Sequence, residues 1–154
     1  MGNSYTIITK SAQETKRFGQ TLADSLMGKR GKEKNQPLVI CLSGELGSGK
    51  TTFVQGFAKG LGVTSRLLSP TFIIVRRYSV LDKKIFFYHV DLYRIKNTAD
   101  LDGLGLREIF SDPFAITCIE WPEQLGSLLP KTRTDIMFEV IGEEERKIMV
   151  NLRP

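Results

Sequence analysis

The run Leu38-Val39-Ile40-Cys41-Leu42-Ser43-Gly44-Glu45-Leu46-Gly47-Ser48-Gly49-Lys50-Thr51 passes from an unbroken apolar segment straight into a glycine-rich turn. Leu38–Leu42 is too short for a helix, and its lack of alternation predicts a strand covered on both faces, as in a parallel sheet. Gly44, Gly49, Lys50 and Thr51 then meet the spacing G-x-x-x-x-G-K-[ST] of a phosphate-cradling loop. The glycines let the backbone take positive φ and wrap closely, so that successive N–H groups point inward. The helix that follows adds the positive end of its dipole. Lys50 supplies a point charge for β- and γ-phosphates, and the Thr51 hydroxyl is placed to ligate Mg²⁺. Glu45, Leu46, Gly47, Ser48, Gly49, Lys50, Thr51 and Thr52 are the candidate nucleotide-binding segment. The Glu45 carboxylate must point away from the phosphates, which it would repel.

Outward from the loop, Lys50–Gly60 is expected to be a helix, with Phe53, Phe57 and Leu61 at steps of four and Gly60 and Gly62 marking its end. Upstream, Tyr5–Thr9 reads as a short strand. Ser11-Ala12-Gln13-Glu14 has capping-box spacing, and Phe18, Leu22 and Leu26 give one apolar helical stripe that should end near Gly28. Residues 29–37 are a polar loop, and its basic cluster from Lys29 to Lys34 is a solvated segment. Downstream, Phe72–Val80 and Ile85–Asp91 flank a turn and predict an antiparallel hairpin. Residues 94–112 read as a loop and then a short helix stopped by Asp112-Pro113. Phe114–Ile119 is a second strand of buried type, Glu123–Leu129 a short helix, and Ile136–Ile141 with Lys147–Leu152 a closing hairpin.

Phosphoryl chemistry needs a carboxylate to help hold Mg²⁺ and to organise the nucleophile. Such a group sits at the carboxyl end of an apolar strand beside the loop. Two residues qualify: Asp91, ending Phe86-Phe87-Tyr88-His89-Val90, and Glu120, ending Phe114–Ile119. The strand before Glu120 is the more uniformly apolar, so Glu120 ranks first as the metal-side acid, with Thr51. Asp91 is the second acid, near the attacking water or the metal. Thr71, in Ser69-Pro70-Thr71, is a candidate γ-phosphate switch. His89 reads as a packed or surface imidazole rather than a catalyst. Trp121 is suited equally to stacking on a base and to packing.

The bulk numbers are consistent with one domain spanning 1–154. Hydrophobic residues make up 41% and charged residues 25%, an ordinary globular balance. A net charge of +5 admits an anionic partner such as RNA without requiring one. Cys41 and Cys118 lie in apolar runs and are expected to be buried free thiols. The start of the chain lacks the basic flank and apolar core of a signal peptide, and no run approaches the roughly 18 apolar residues of a membrane span. The expected location is cytoplasmic.

Gly44–Thr52, Ser69-Pro70-Thr71-Phe72, Tyr88-His89-Val90-Asp91-Leu92-Tyr93-Arg94, Gly105-Leu106-Arg107-Glu108 and Ile119-Glu120-Trp121-Pro122 occur in the order and spacing of one family. Over roughly residues 5–150 the chain resembles the bacterial TsaE (YjeE) family of small P-loop ATPases, needed to make threonylcarbamoyladenosine in tRNA. The Asp-Leu-Tyr-Arg and Glu-Trp-Pro blocks carry the resemblance more specifically than the loop does. It implies an α/β, three-layer P-loop nucleotide-binding fold with a mixed parallel/antiparallel sheet. It implies slow, Mg²⁺-dependent ATP hydrolysis within a complex with the TsaB and TsaD proteins, with tRNA reached through that complex. TsaD would perform the transfer, and the ATP cycle of this chain would reset the complex between turnovers. Carried over by position, Lys50 would be the phosphate lysine, Thr51 and Glu120 magnesium-side residues, Asp91 a residue needed for hydrolysis, and Ser69-Pro70-Thr71 the switch-like segment.

Three other classes compete. A small-molecule kinase of P-loop type would use the 94–108 segment, with Arg94 and Arg107, as a lid. A GTPase would carry Asn-Lys-x-Asp, whereas Asn97-Thr98-Ala99-Asp100 lacks the lysine. A nucleotide-binding scaffold would bind without turnover.

Overall fold

The structure, a computed structural model, describes residues 3–30, 36–67, 74–80 and 84–153. Its strands are β1 (Ser4–Thr9), β2 (Leu38–Ser43), β3 (Val75–Ser79), β4 (Phe86–Asp91), β5 (Ala115–Glu120), β6 (Arg133–Val140) and β7 (Arg146–Arg153). The α-helices are α1 (Ala12–Arg30), α2 (Lys50–Leu61) and α3 (Leu106–Ser111), and Thr98–Leu101 and Pro122–Leu128 form 3₁₀ turns. Among the described residues the strands make one seven-stranded sheet in the order β1-β7-β6-β2-β5-β4-β3. β6, β2, β5 and β4 are mutually parallel, while β3 on one side and β7 and β1 on the other run antiparallel to their neighbours. The sheet is therefore mixed, and β2 lies at its centre.

β2 shows why its sequence does not alternate. Ile40 and Leu42 pack with α1 and α2 on one face, and Val39 and Cys41 pack on the other with Leu101, Leu106 and Leu125 from α3 and the 3₁₀ turns. Helices thus cover both faces, the three-layer arrangement expected of an α/β chain. The stripes predicted on α1 and α2 meet over the sheet: Phe53 of α2 lies 5.8 Å from the Phe18 ring and 5.6 Å from that of Phe138 on β6. Each such buried aromatic stabilises the fold by roughly 1.5–3 kcal/mol. Cys41 and Cys118 are buried and free, as expected, and burial pushes the Cys41 thiol up to about 12. No described helix is long and apolar enough to cross a membrane.

Several local details differ from the sequence expectation. The Ser11 hydroxyl accepts from the Glu14 amide at 3.1 Å, but the Glu14 carboxylate takes the amide of Lys10, not of Ser11, at 2.7 Å. α1 continues past Gly28 to Arg30. Glu123–Leu129 is a 3₁₀ segment broken at Gly126, whose φ of 55° and ψ of −124° interrupt it. Gly60 does not end α2; Gly62 does, with φ 98° and its amide bonded to the Lys59 carbonyl. Gly60 is needed because α1 crosses there: a Cβ would lie 2.6 Å from the Gln20 carbonyl oxygen and 2.8 Å from the Ala23 Cβ. Gly56 and Gly19 serve the same crossing, facing the carbonyls of Lys16 and Phe53. Segments 31–35, 68–73 and 81–83 lie outside the described residues, so most of the basic loop, most of the first hairpin's turn and Ser69-Pro70-Thr71 do too, while Lys29 and Arg30 belong to α1.

A pair of helix substitutions should separate propensity from packing. Gly28 has nothing within 4 Å of a Cβ, so Gly28→Ala is expected to stabilise the fold by about 0.5–1 kcal/mol. Gly56→Ala is expected to destabilise it by about 1–3 kcal/mol, because the methyl must push α1 away from α2. Urea unfolding of both variants measures the difference.

Candidate functional site

The order of strands determines which side chains meet. β5 lies beside β2 in parallel, with Glu120 opposite Leu42, and β4 lies beside β5 with Asp91 opposite Glu120. The carboxyl ends of these strands therefore converge where β2 gives way to the glycine-rich loop. Their pleat puts His89, Asp91, Cys118 and Glu120 on one face, the face that α2 covers.

The loop has the conformation its glycines permit: φ is 148° at Gly44, 77° at Gly47 and 103° at Gly49. Gly44 is crowded as well as left-handed, since a Cβ would sit 2.7 Å from both the Phe138 carbonyl oxygen and the Ser48 Oγ. The Ser48 amide closes a turn onto the Glu45 carbonyl at 3.1 Å. The amides of Gly47, Gly49, Lys50 and Thr51 have no acceptor among the described residues. They surround the N-terminus of the twelve-residue α2, an arrangement suited to an anion.

A cleft of about 540 Å³ opens above them. Leu46, Gly47, Ser48, Gly49, Lys50, Thr51 and Thr52 line it, together with Asp91, Glu120, Tyr93 and Trp121. Of the predicted binding segment only Glu45 is outside this lining; it is exposed, and its backbone carbonyl rather than its carboxylate faces Lys50. The Lys50 ammonium donates to the carbonyls of Gly44 and Glu45 and lies 4.0 Å from the centroid of the Trp121 ring. Burial pulls its pKa below the ordinary lysine value, opposed by the charges of Glu120, Glu123 and Asp91.

Thr51 and Glu120 are brought together. The Thr51 hydroxyl donates to one carboxylate oxygen at 3.3 Å, and the other oxygen pairs with His89 Nε2 at 2.6 Å. His89 is fully buried, as a packed imidazole would be, but its contact with Glu120 is the one the sequence did not reveal. Asp91 lines the same cleft, with Oδ1 accepting the Tyr93 amide at 3.0 Å. Burial raises its carboxyl above the ordinary value; the Tyr93 hydrogen bond opposes this, the Glu120 charge adds to it, and His89 and Lys50 oppose it. Trp121 takes φ 61°, the one non-glycine residue at positive φ among those described, and this carries its ring between Lys50 and Tyr93, 5.3 Å away. Thr71 lies outside the described residues.

Residues 9–148 match the family described as "Threonylcarbamoyl adenosine biosynthesis protein TsaE". The chain belongs to the TsaE family. It is 39% identical over 131 residues to the tRNA threonylcarbamoyladenosine biosynthesis protein TsaE of a Synechocystis species, a match spanning 82% of this chain and 75% of that one. It is 32% identical over 143 residues to the Treponema pallidum TsaE, covering 93% and 97% of the two chains. The Bacillus subtilis TsaE is 40% identical over 110 residues, 71% of this chain and 66% of that protein's own length. The crystal structure of Bacillus subtilis YdiB superimposes with a TM-score of 0.77 at 29% identity, over 100% of this chain and 88% of that one.

The burial of Asp91 predicts a pH-dependent stability effect. Its folded pKa lies above the unfolded one, so the stability tied to its protonated form is present at low pH and is lost as pH rises through the folded value. Asp91→Asn keeps an oxygen for the Tyr93 amide and removes the desolvated charge. The variant is expected to melt slightly higher than the parent at pH 7, with the gap closing as pH falls toward the ordinary carboxylate range. A lower melting temperature, uniform across pH, would contradict this.

Proposed function

We propose that the protein binds ATP in this cleft, hydrolyses it slowly with Mg²⁺, and supports threonylcarbamoylation of adenosine in tRNA by acting on a complex of the TsaB and TsaD proteins in the cytoplasm. The observation that carries the proposal is the 3.3 Å contact between Thr51 and Glu120 beside the acceptor-free loop amides. Family membership supplies the tRNA-modification setting.

The residues suit a magnesium nucleotide. No group of three or more His, Cys, Asp or Glu side chains fit to cage a metal occurs among the described residues. Mg²⁺ does not require one, because it is usually held by one or two protein groups and completed by phosphate oxygens and water. Thr51 and Glu120 are the groups proposed to hold it, and its chemistry there is to neutralise charge on the β- and γ-phosphates.

The other side chains then divide the work. Lys50, shared between two carbonyls and the Trp121 face, exchanges those contacts for phosphate oxygens. His89 fixes one oxygen of Glu120 and leaves the other directed at Thr51. Asp91, which lines the same cleft, is the proposed acceptor of a proton from the attacking water. Thr71 is the proposed γ-phosphate switch. TsaD performs the transfer to tRNA, and the ATP cycle of this chain resets the complex.

The test is phosphate release from labelled ATP, with and without the TsaB–TsaD pair. Slow release alone and faster release with the pair are expected. Lys50→Ala is expected to abolish nucleotide binding. Glu120→Ala is expected to bind ATP and to lose hydrolysis on the order of 100-fold, the size of a lost electrostatic stabiliser. Normal turnover by the Glu120 variant would contradict the proposal, and transfer of label to a metabolite would point instead to a small-molecule kinase.

A further inference from the structure

Arg146 opens β7, at the foot of the hairpin that returns from β6, and lines the cleft. Among the described residues, each hydrogen bond of its guanidinium ends on a main-chain carbonyl. Nε reaches Ser48 and Nη2 reaches Gly47, both at 3.1 Å. Nη1 is shared among Gly142 at 3.1 Å, Glu143 at 3.3 Å and Glu145 at 2.9 Å. No ion pair with a carboxylate is formed by Arg146 among the described residues. One side chain thus ties the acidic hairpin to the glycine-rich loop.

A peptide group is planar and trans, so its C=O and N–H point in opposite directions. The carbonyl of Ser48 belongs to the same peptide plane as the amide of Gly49. Because Arg146 takes the Ser48 oxygen from the hairpin side, the Gly49 amide is turned the other way. That amide has no acceptor among the described residues. The Gly47 oxygen shares its plane with the Ser48 amide, which closes onto Glu45. Gly49, at φ 103° and without a Cβ, would otherwise leave this plane easily rotated. Only a planar fork of donors can hold two successive carbonyls and a hairpin together; an ammonium is a single point on a flexible stem.

We propose that Arg146 is a positioning residue for the nucleotide: by gripping the outer carbonyls of Gly47 and Ser48 it fixes the loop's peptide planes and presents the Gly49 amide to phosphate. This rests on the reading of the loop as a nucleotide site. The test is calorimetric titration with ADP and Mg²⁺ of the parent chain, Arg146→Lys and Arg146→Gln. It is joined to the melting temperature of each without nucleotide and to the Gly49 amide resonance in ¹⁵N spectra. Arg146→Lys keeps the charge and loses the fork. Both variants are expected to bind ADP roughly tenfold more weakly, the size of a lost charged hydrogen bond. Melting is expected to be nearly unchanged, with spectral shifts confined to the loop and hairpin. Parent-like affinity in Arg146→Lys would overturn the inference, because charge alone would then suffice. Weakening accompanied by a general loss of stability would also overturn it, in favour of a purely structural role. If the parent itself fails to bind ADP, the nucleotide reading falls first and this inference with it.

Discussion

The parallel pairing of β2 with β5, in the register that sets Leu42 opposite Glu120, is the constraint on which the site depends. β2 delivers the chain into the glycine-rich loop, and β5 ends in a carboxylate at the same level. One residue of slip would turn Glu120 to the opposite face of the sheet, away from Thr51. Both strands are largely apolar, β5 buried throughout and β2 buried except at its ends, so the register is held by packing on two faces. The core is thereby the support of the site, and the site's geometry is inherited from sheet topology.

Around that frame the protein holds three ionisable side chains at low exposure. Lys50 is 5% exposed, Glu120 4% and His89 0%. Burial of such groups is tolerable only when they are paired. Here Glu120 is shared between His89 and Thr51, and Lys50 is shared between two carbonyls and an indole. The left-handed backbone of Trp121 and the desolvation of Asp91 are further departures from the most stable arrangement. Both residues lie in the cleft that Lys50, Thr51 and Glu120 line.

Much of this was legible in the sequence because it is local. The strand, loop and helix from Leu38 to Leu61 are written in consecutive residues, and the run before Glu120, more uniformly apolar than the one before Asp91, marks it as the end of a buried strand. What escaped depends on which elements become neighbours. The partner of the packed His89 imidazole escaped because nothing along the chain says that β5 lies beside β4. The available signal was that His89 and Asp91 stand two apart, on one side of an apolar strand, so a buried imidazole there needed a polar partner. Gly60 looked like a helix terminator because its true reason, the carbonyl of Gln20 on another helix, is non-local. Arg146 gave no signal, since main-chain carbonyls of a distant loop carry no side-chain signature.

The central claim is that Thr51 and Glu120 share one magnesium ion on the phosphate side of the loop. A crystal structure with a non-hydrolysable ATP analogue and Mn²⁺, located by its anomalous scattering, tests it most directly. The account predicts one strong peak about 2 Å from the Thr51 hydroxyl oxygen, facing the Glu120 carboxylate, with the triphosphate wrapped by the loop amides. A peak remote from Glu120, or a nucleotide bound away from the loop, would contradict it.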